Sequence, residues 1–195
     1  FIMVATYSLF YIMTAFAQAY SRTPATLSEA GYPMGLGIPA NTFTGLLLMS
    51  AIVFAIFISI SGLYADKIGR RKWLIWTTVS ILIFALCMPL FLGNGTPTSV
   101  FAFLVIGMAL MGMTFGPMAA LLPELFPTEV RYSGASLAYN IASIIGATIA
   151  AMISLKINAL YGLMGVGIYL AINAFLTLLA LLASKETKNV DLTQI

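Results

Sequence analysis

Most of the charge that could do chemistry gathers in two short stretches. In Gly62-Leu63-Tyr64-Ala65-Asp66-Lys67-Ile68-Gly69-Arg70-Arg71-Lys72, a carboxylate stands four residues ahead of an arginine pair. In Pro123-Glu124-Leu125-Phe126-Pro127-Thr128-Glu129-Val130-Arg131, two carboxylates are followed by a third arginine. A guanidinium can grip a carboxylate through two parallel hydrogen bonds, or bind the free carbonyls at a helix C-terminus. Asp66, Arg70, Arg71, Glu124, Glu129 and Arg131 are therefore candidates for an ion-pair network, with Arg70 or Arg71 on Glu124 as the expected pair. The plainer alternative is a basic anchor that only fixes orientation. A second set is uncharged. Tyr7, Tyr11, Thr14 and Gln18 are separated by four, three and four positions, which puts them within about 60° of each other on a helix. Ser136, Asn140 and Ser143 share a second stripe, with Tyr139 beside it. Such groups can line an aqueous path and hydrogen-bond a small polar molecule, or can simply bond one helix to another. Nothing equips the chain for catalysis. Histidine is absent and Cys87 is the only cysteine, so His triads, His metal sites and an internal disulfide are excluded. No catalytic residue, metal or cofactor is expected, and Cys87 reads as a small apolar residue inside a buried helix.

The elements that must carry these residues follow from the distribution of charge. Hydrophobic residues make up 61% of the 195 and charged residues 8%, against about 25% charged in a soluble domain. That excludes a soluble globular domain and a disordered chain alike. About 20 apolar residues cross the roughly 30 Å hydrocarbon layer as a helix, and strands would leave backbone groups unsatisfied in lipid. The charge-free runs, cut at Gly93-Asn94-Gly95-Thr96-Pro97 and at the Gly/Pro-rich stretch from Gly31 to Pro39, predict an all-α integral membrane fold. Six transmembrane helices are expected, at about 1–20, 42–64, 73–92, 99–122, 134–155 and 163–183. Alternating loops then place Lys67, Arg70, Arg71, Lys72, Arg131, Lys185 and Lys188 on one side, and Arg22 and Lys156 on the other. The heavily basic side is the cytoplasmic one, which makes residues 184–195 a cytoplasmic tail. Trp73 and Trp76 flank the basic turn, as an interfacial aromatic belt requires.

Small residues and prolines add packing expectations. Gly112 and Gly116 form GxxxG, and Ala142, Gly146 and Ala150 recur every fourth residue. Both patterns allow close backbone approach, as static packing or as a sliding surface. Pro89 and Pro117 are expected to kink their helices. No Asp, Glu, Lys or Arg falls in the middle of a predicted helix, so this chain by itself is not expected to carry a proton relay at the bilayer centre.

The pattern G-x-x-x-D-K-x-G-R-R between two membrane helices resembles the cytoplasmic signature of the major facilitator superfamily, with Lys67 where arginine is commoner. The stretch from Pro123 to Asn140 is similar to the loop between helices ten and eleven of its metabolite:H⁺ symporter family, which includes proline/betaine, shikimate and α-ketoglutarate permeases. Lys185-Glu186-Thr187-Lys188 resembles the segment that follows helix twelve in sugar-porter-like members. The resemblance implies the C-terminal six-helix half of a twelve-helix bacterial transporter, built as two inverted three-helix repeats. It implies proton-coupled uptake of a small polar metabolite or organic acid by alternating access, in the cell inner membrane. The partners would be substrate, protons, the bilayer and the N-terminal six-helix half, with no nucleic acid. The titrating group would then lie in that other half. A six-helix half that pairs with its own copy, a passive facilitator and a non-transporting membrane subunit are the alternatives. The resemblance also makes the six charged residues a cytoplasmic latch, and the two polar stripes the substrate path.

Overall fold

A computed structural model describes residues 1–124, 126–144, 146 and 149–184. Leu125 and residues 185–195 lie outside them, and with them Lys185, Lys188 and all but the first residue of the expected tail. The described chain is helical apart from one β-bridge, Leu27 to Pro33. Helix α1 (Val4–Tyr11) runs without a gap into a π-helical segment, Ile12–Phe16, and on into α2 (Ala17–Arg22). After a connection over 23–39 come α3 (Ala40–Ile68), α4 (Arg70–Leu86), α5 (Met88–Leu92), α6 (Pro97–Glu124), α7 (Arg131–Ser143) and α8 (Ile149–Ala183). Gly162, at φ 67° and ψ −171°, breaks α8 into 149–161 and 163–183. Ala40–Ile68, Pro97–Glu124 and Met152–Ala183 are long and apolar enough to cross a membrane.

The helices overrun the charge-free windows that suggested them. Asp66, Lys67, Arg70, Lys72 and Glu124 all remain helical, because a side chain at a helix end reaches water without unwinding the backbone. Lys156 is the clearest correction. The sequence places it in a loop after helix five, whereas α8 carries it on an exposed face and continues to the break at Gly162. At Pro89 the helix breaks two residues early, at Cys87, because proline has no N–H to donate back. Cys87 is consequently half-buried at a helix junction rather than buried within a helix. Helix α6 continues through Pro117 and Pro123.

Close packing follows the small residues. A Cβ on Gly112 would stand 2.7 Å from the Phe54 carbonyl oxygen and 2.9 Å from the Phe57 Cβ, and one on Gly116 would meet Ile58 and Ser61. The glycines thus let α6 lie parallel against α3, and the Ser61 hydroxyl donates to the Gly112 carbonyl across that seam at 3.1 Å. Without a hydrophobic drive between helices in lipid, such contact and hydrogen bonding hold the bundle. Antiparallel to α1 runs the second part of α8. Asn173 Nδ2 donates to Ser8 Oγ (2.9 Å), Ala5 N–H donates to Thr177 Oγ1 (3.1 Å), and the Thr177 hydroxyl donates to the Phe1 carbonyl (2.9 Å). The main core gathers Phe16, Phe84, Phe103, Met108 and Leu170; a smaller one holds Met3, Leu74, Met118 and Leu181.

Contacts sort the helix ends into two groups. The turn at 66–72 meets Glu124 and the end of α8 at Leu181 and Leu182. At the other end, residues 26–34 form a small hairpin, with Met34 N–H donating to the Thr26 carbonyl at 2.8 Å. Asn158 Nδ2 donates to the Pro33 carbonyl at 3.0 Å, the Tyr32 ring covers Gly162, and Leu36 reaches Gly95.

Candidate functional site

The charged end is organised around Gly69. Its φ of 113° suits glycine alone, and it turns the chain between α3 and α4 in one residue. That turn brings Arg70 back over Asp66. Arg70 Nε donates to Asp66 Oδ1 at 3.1 Å, while its Nη1 donates to Glu124 Oε1 at the end of α6. One guanidinium therefore ties the ends of α3, α4 and α6. Glu124 and Arg70 are 14% and 20% exposed, whereas Asp66 is 63% exposed. The hydrogen bond that Arg70 donates to Glu124, above all, raises the Arg70 pKa above its ordinary value; partial burial opposes this and Asp66 reinforces it. The second carboxylate oxygen of Glu124 is buried without a partner among the described residues. Arg71 takes the other role open to it. Its Nε and Nη2 donate to the carbonyls of Leu181 and Leu182, each at 2.7 Å, placing a cation on the negative end of the α8 dipole.

The remaining two charged candidates stand apart from this cluster. Arg131 Nε donates to the Phe126 carbonyl (3.4 Å) and its Nη2 to Thr128 Oγ1 (3.3 Å), bracing its own loop. Glu129 is exposed. Among the described residues, neither Glu129 nor Arg131 forms an ion pair.

The polar stripe of the first helix stands on its uncovered face. Tyr7, Tyr11, Thr14 and Gln18 are all half-buried, while Ile12, Met13, Phe16, Ala17 and Tyr20 between them are fully buried. The π-helical segment contains Thr14, whose hydroxyl donates to the Phe10 carbonyl at 2.7 Å. With its amide turned to satisfy both neighbours, Gln18 donates to the Thr14 carbonyl at 3.3 Å and accepts from Arg22 at 3.0 Å. The two stripes touch at one point: the Tyr7 and Tyr139 rings meet edge to face, centroids 6.4 Å apart. Gly146 allows this, since a Cβ there would press on Tyr7 and come within 3.2 Å of Ser8 N. Ser136 and Asn140 are exposed and Ser143 half-buried on α7, with Asn140 Nδ2 donating to the Ser136 carbonyl at 2.8 Å. Tyr7, Tyr139 and Phe115 thus form a continuous aromatic patch.

Sequence reasoning passed over Ser8, Asn173, Thr177 and Asn158, the groups that bond distant segments. The four-residue spacing of Asn173 and Thr177 in an otherwise apolar helix was the available signal. Among the described residues, no cluster of metal-ligating side chains occurs.

The family model described as sugar (and other) transporter matches residues 34–195. A Haemophilus influenzae protein that bears the name of a metabolite transport protein is 86% identical over the whole chain, which spans 44% of that relative. An Escherichia coli inner membrane metabolite transport protein is 52% identical over 98% of the chain and 42% of its own length. The proline/betaine transporter of Salmonella typhimurium is 32% identical over 74% of the chain and 29% of its own length. The chain therefore spans less than half the length of these relatives. No solved structure matches. The family match across most of the chain, on a set of long apolar helices, makes this a membrane protein of the sugar (and other) transporter family, within the major facilitator superfamily.

Proposed function

We propose that this chain is the C-terminal six-helix half of a twelve-helix secondary transporter of the bacterial inner membrane, moving a small polar metabolite together with protons by alternating access. The observation that carries this reading is the uncovered polar face of the first helix. Hydroxyls and an amide in a membrane helix are stable where they border water or protein rather than lipid. A second bundle facing Tyr7, Tyr11, Thr14 and Gln18 would close an aqueous cavity there, with Tyr139, Asn140 and Ser143 on its flank. The two groups of helix ends support six crossings with the basic end cytoplasmic. The break at Gly162 would separate the fifth crossing, α7 together with the first part of α8, from the sixth, the second part of α8, and the fold would be two inverted three-helix repeats.

Arg70 and Arg71 bond within this half, so they form the stiff sill of an inner gate. Glu129 and Arg131, which meet no opposite charge here, are the members able to reach across to the other half when the gate closes. Proton coupling is assigned to that other half, because the described carboxylates stand at helix ends (Asp66, Glu124) or in connections (Glu29, Glu129). Zwitterionic osmolytes are the first substrates to try, given that the Salmonella relative is a proline/betaine transporter. The test is uptake of proline, betaine, monocarboxylates and sugars by proteoliposomes of the full-length protein. Accumulation driven by an imposed proton gradient and abolished by a protonophore supports the reading. Gradient-independent equilibration would make the protein a facilitator, and absence of any uptake would make it a non-transporting subunit.

A further inference from the structure

Helix α4 packs on α6 and α8, and a slot of about 470 Å³ opens along it. Its walls are Ile68 from α3, Trp73, Trp76 and Thr77 from α4, and Met113 from α6, with Lys72 at one end. Most hydrogen-bonding groups in the walls are already satisfied. The Trp73 indole N–H donates to the Met113 carbonyl (3.0 Å), Thr77 donates to the Trp73 carbonyl (3.0 Å), and Ser80 donates to the Trp76 carbonyl (3.1 Å). The Trp73 ring is further pinned by stacking on Tyr64 at 5.9 Å. The slot is therefore mainly apolar, with the exposed Trp76 indole N–H as the one side-chain donor among Trp73, Trp76, Thr77 and Ser80 that is left without a partner among the described residues. Its mouth is different. Lys72 is exposed and has no ion pair or hydrogen bond among the described residues, since the carboxylates nearest in sequence and space are taken by Arg70. The first turn of α4 is also uncapped by any side chain, which leaves the positive end of its dipole at the same place. Trp76, 77% exposed, stands beside the slot as an interfacial tryptophan does.

We infer that this slot binds one anionic phospholipid, its phosphodiester on Lys72 and the α4 N-terminus and one acyl chain lying past Trp76 toward Ser80. The eight helical steps from Lys72 to Ser80 give the chain a bed about 12 Å long. Charge complementarity picks the lipid class: a cation above an apolar slot discriminates by head group, whereas a slot alone would take any lipid.

The full-length transporter in nanodiscs of phosphatidylethanolamine, doped with phosphatidylglycerol brominated on its acyl chains or with equally brominated phosphatidylcholine, tests this. The difference in fluorescence between wild type and Trp76→Phe isolates the Trp76 signal. Brominated phosphatidylglycerol should quench it at about one fifth of the concentration that brominated phosphatidylcholine needs, the factor one basic side chain contributes at a membrane surface. Lys72→Gln should erase that preference and Lys72→Arg should keep it. Equal quenching by the two lipids in wild type, or a preference that survives Lys72→Gln, would overturn the inference. So would a Trp76 that neither lipid quenches, because the slot would then be covered by protein.

Discussion

Arg70→Ala is the perturbation that the structure makes most informative. The i,i+4 contact with Asp66 is largely exposed and is worth about 0.3–0.5 kcal/mol. The contact with Glu124 is different in kind, because the two side chains are only 20% and 14% exposed. Breaking a fully buried pair costs about 3–5 kcal/mol, mostly from the charge left unpaired. Partial exposure of this pair brings the expected loss to about 2–3 kcal/mol. Glu124 would then be left with neither oxygen partnered, since its second oxygen has no partner already. For a domain of this size each kcal/mol moves the melting temperature by about 2–4 °C. Thermal unfolding of the purified transporter, followed by size-exclusion chromatography after heating, reads the shift. The decisive comparison is Arg70→Ala/Glu124→Gln, which removes both charges and should recover much of the lost stability. If the double variant melts as low as the single one, the stranded carboxylate is not the source and the reasoning fails. Arg70→Lys should fall between, because an ammonium cannot reproduce the planar fork that reaches two carboxylates at once.

Other outcomes are accessible to the same protein. Because Glu124 raises the Arg70 pKa, the contribution of this cation is present below the ordinary arginine value and is lost only above the raised one. The melting difference between wild type and Arg70→Ala, measured in paired scans, should therefore not decline as pH rises from about 6 to about 9, far below the range in which an arginine deprotonates. Gly112→Ala should destabilise by about 1–3 kcal/mol through overpacking in the same melting assay, while Gly45→Ala, with open space around it, should be silent. Thr177→Val removes the acceptor of the Ala5 N–H and should cost about 1 kcal/mol, with faster hydrogen exchange at Ala5 as the local readout. In a Cys87→Ala background, cysteines at Glu29 and Asn94, both exposed, should react with an impermeant thiol reagent in intact cells. One at Lys72 should not, and its labelling from outside would reverse the proposed orientation.

Much of this could be read from residue types because membrane chains segregate polar groups so strictly. The turn signal at 93–97, the break before Pro89 and the glycine seam of α6 each follow from a local rule of backbone chemistry, and the structure bears each one out. The Arg70–Glu124 pair was legible for a related reason: both charges had to stand at helix ends, and few ends were available. What stayed hidden was set by tertiary contact. Nothing local says that α8 carries Lys156 onward to Gly162, since the tolerance comes from an exposed face. The bonds from Ser8 to Asn173 and from Asn158 to Pro33 join segments more than a hundred residues apart. Neither they nor the small hairpin at 26–34 have a one-dimensional signature. The division of the six charged candidates was equally invisible, because Glu124 and Glu129 differ in sequence only by which side of a turn they occupy.

The π-helical segment of the first helix has a further consequence. A π turn holds one residue more than the α turn it replaces. Deleting a single residue within Ile12–Phe16 would thus let the backbone heal into an uninterrupted α-helix. Residues beyond the deletion would keep their facing, because the wide turn already absorbs the extra position. Straightening the same residues into an unbroken α-helix without a deletion would instead turn everything beyond by about 100° and carry Gln18 away from the face of Tyr7 and Tyr11. The polar face is accordingly written in phase as well as in composition, and a relative with as many residues but no π segment would present a different wall.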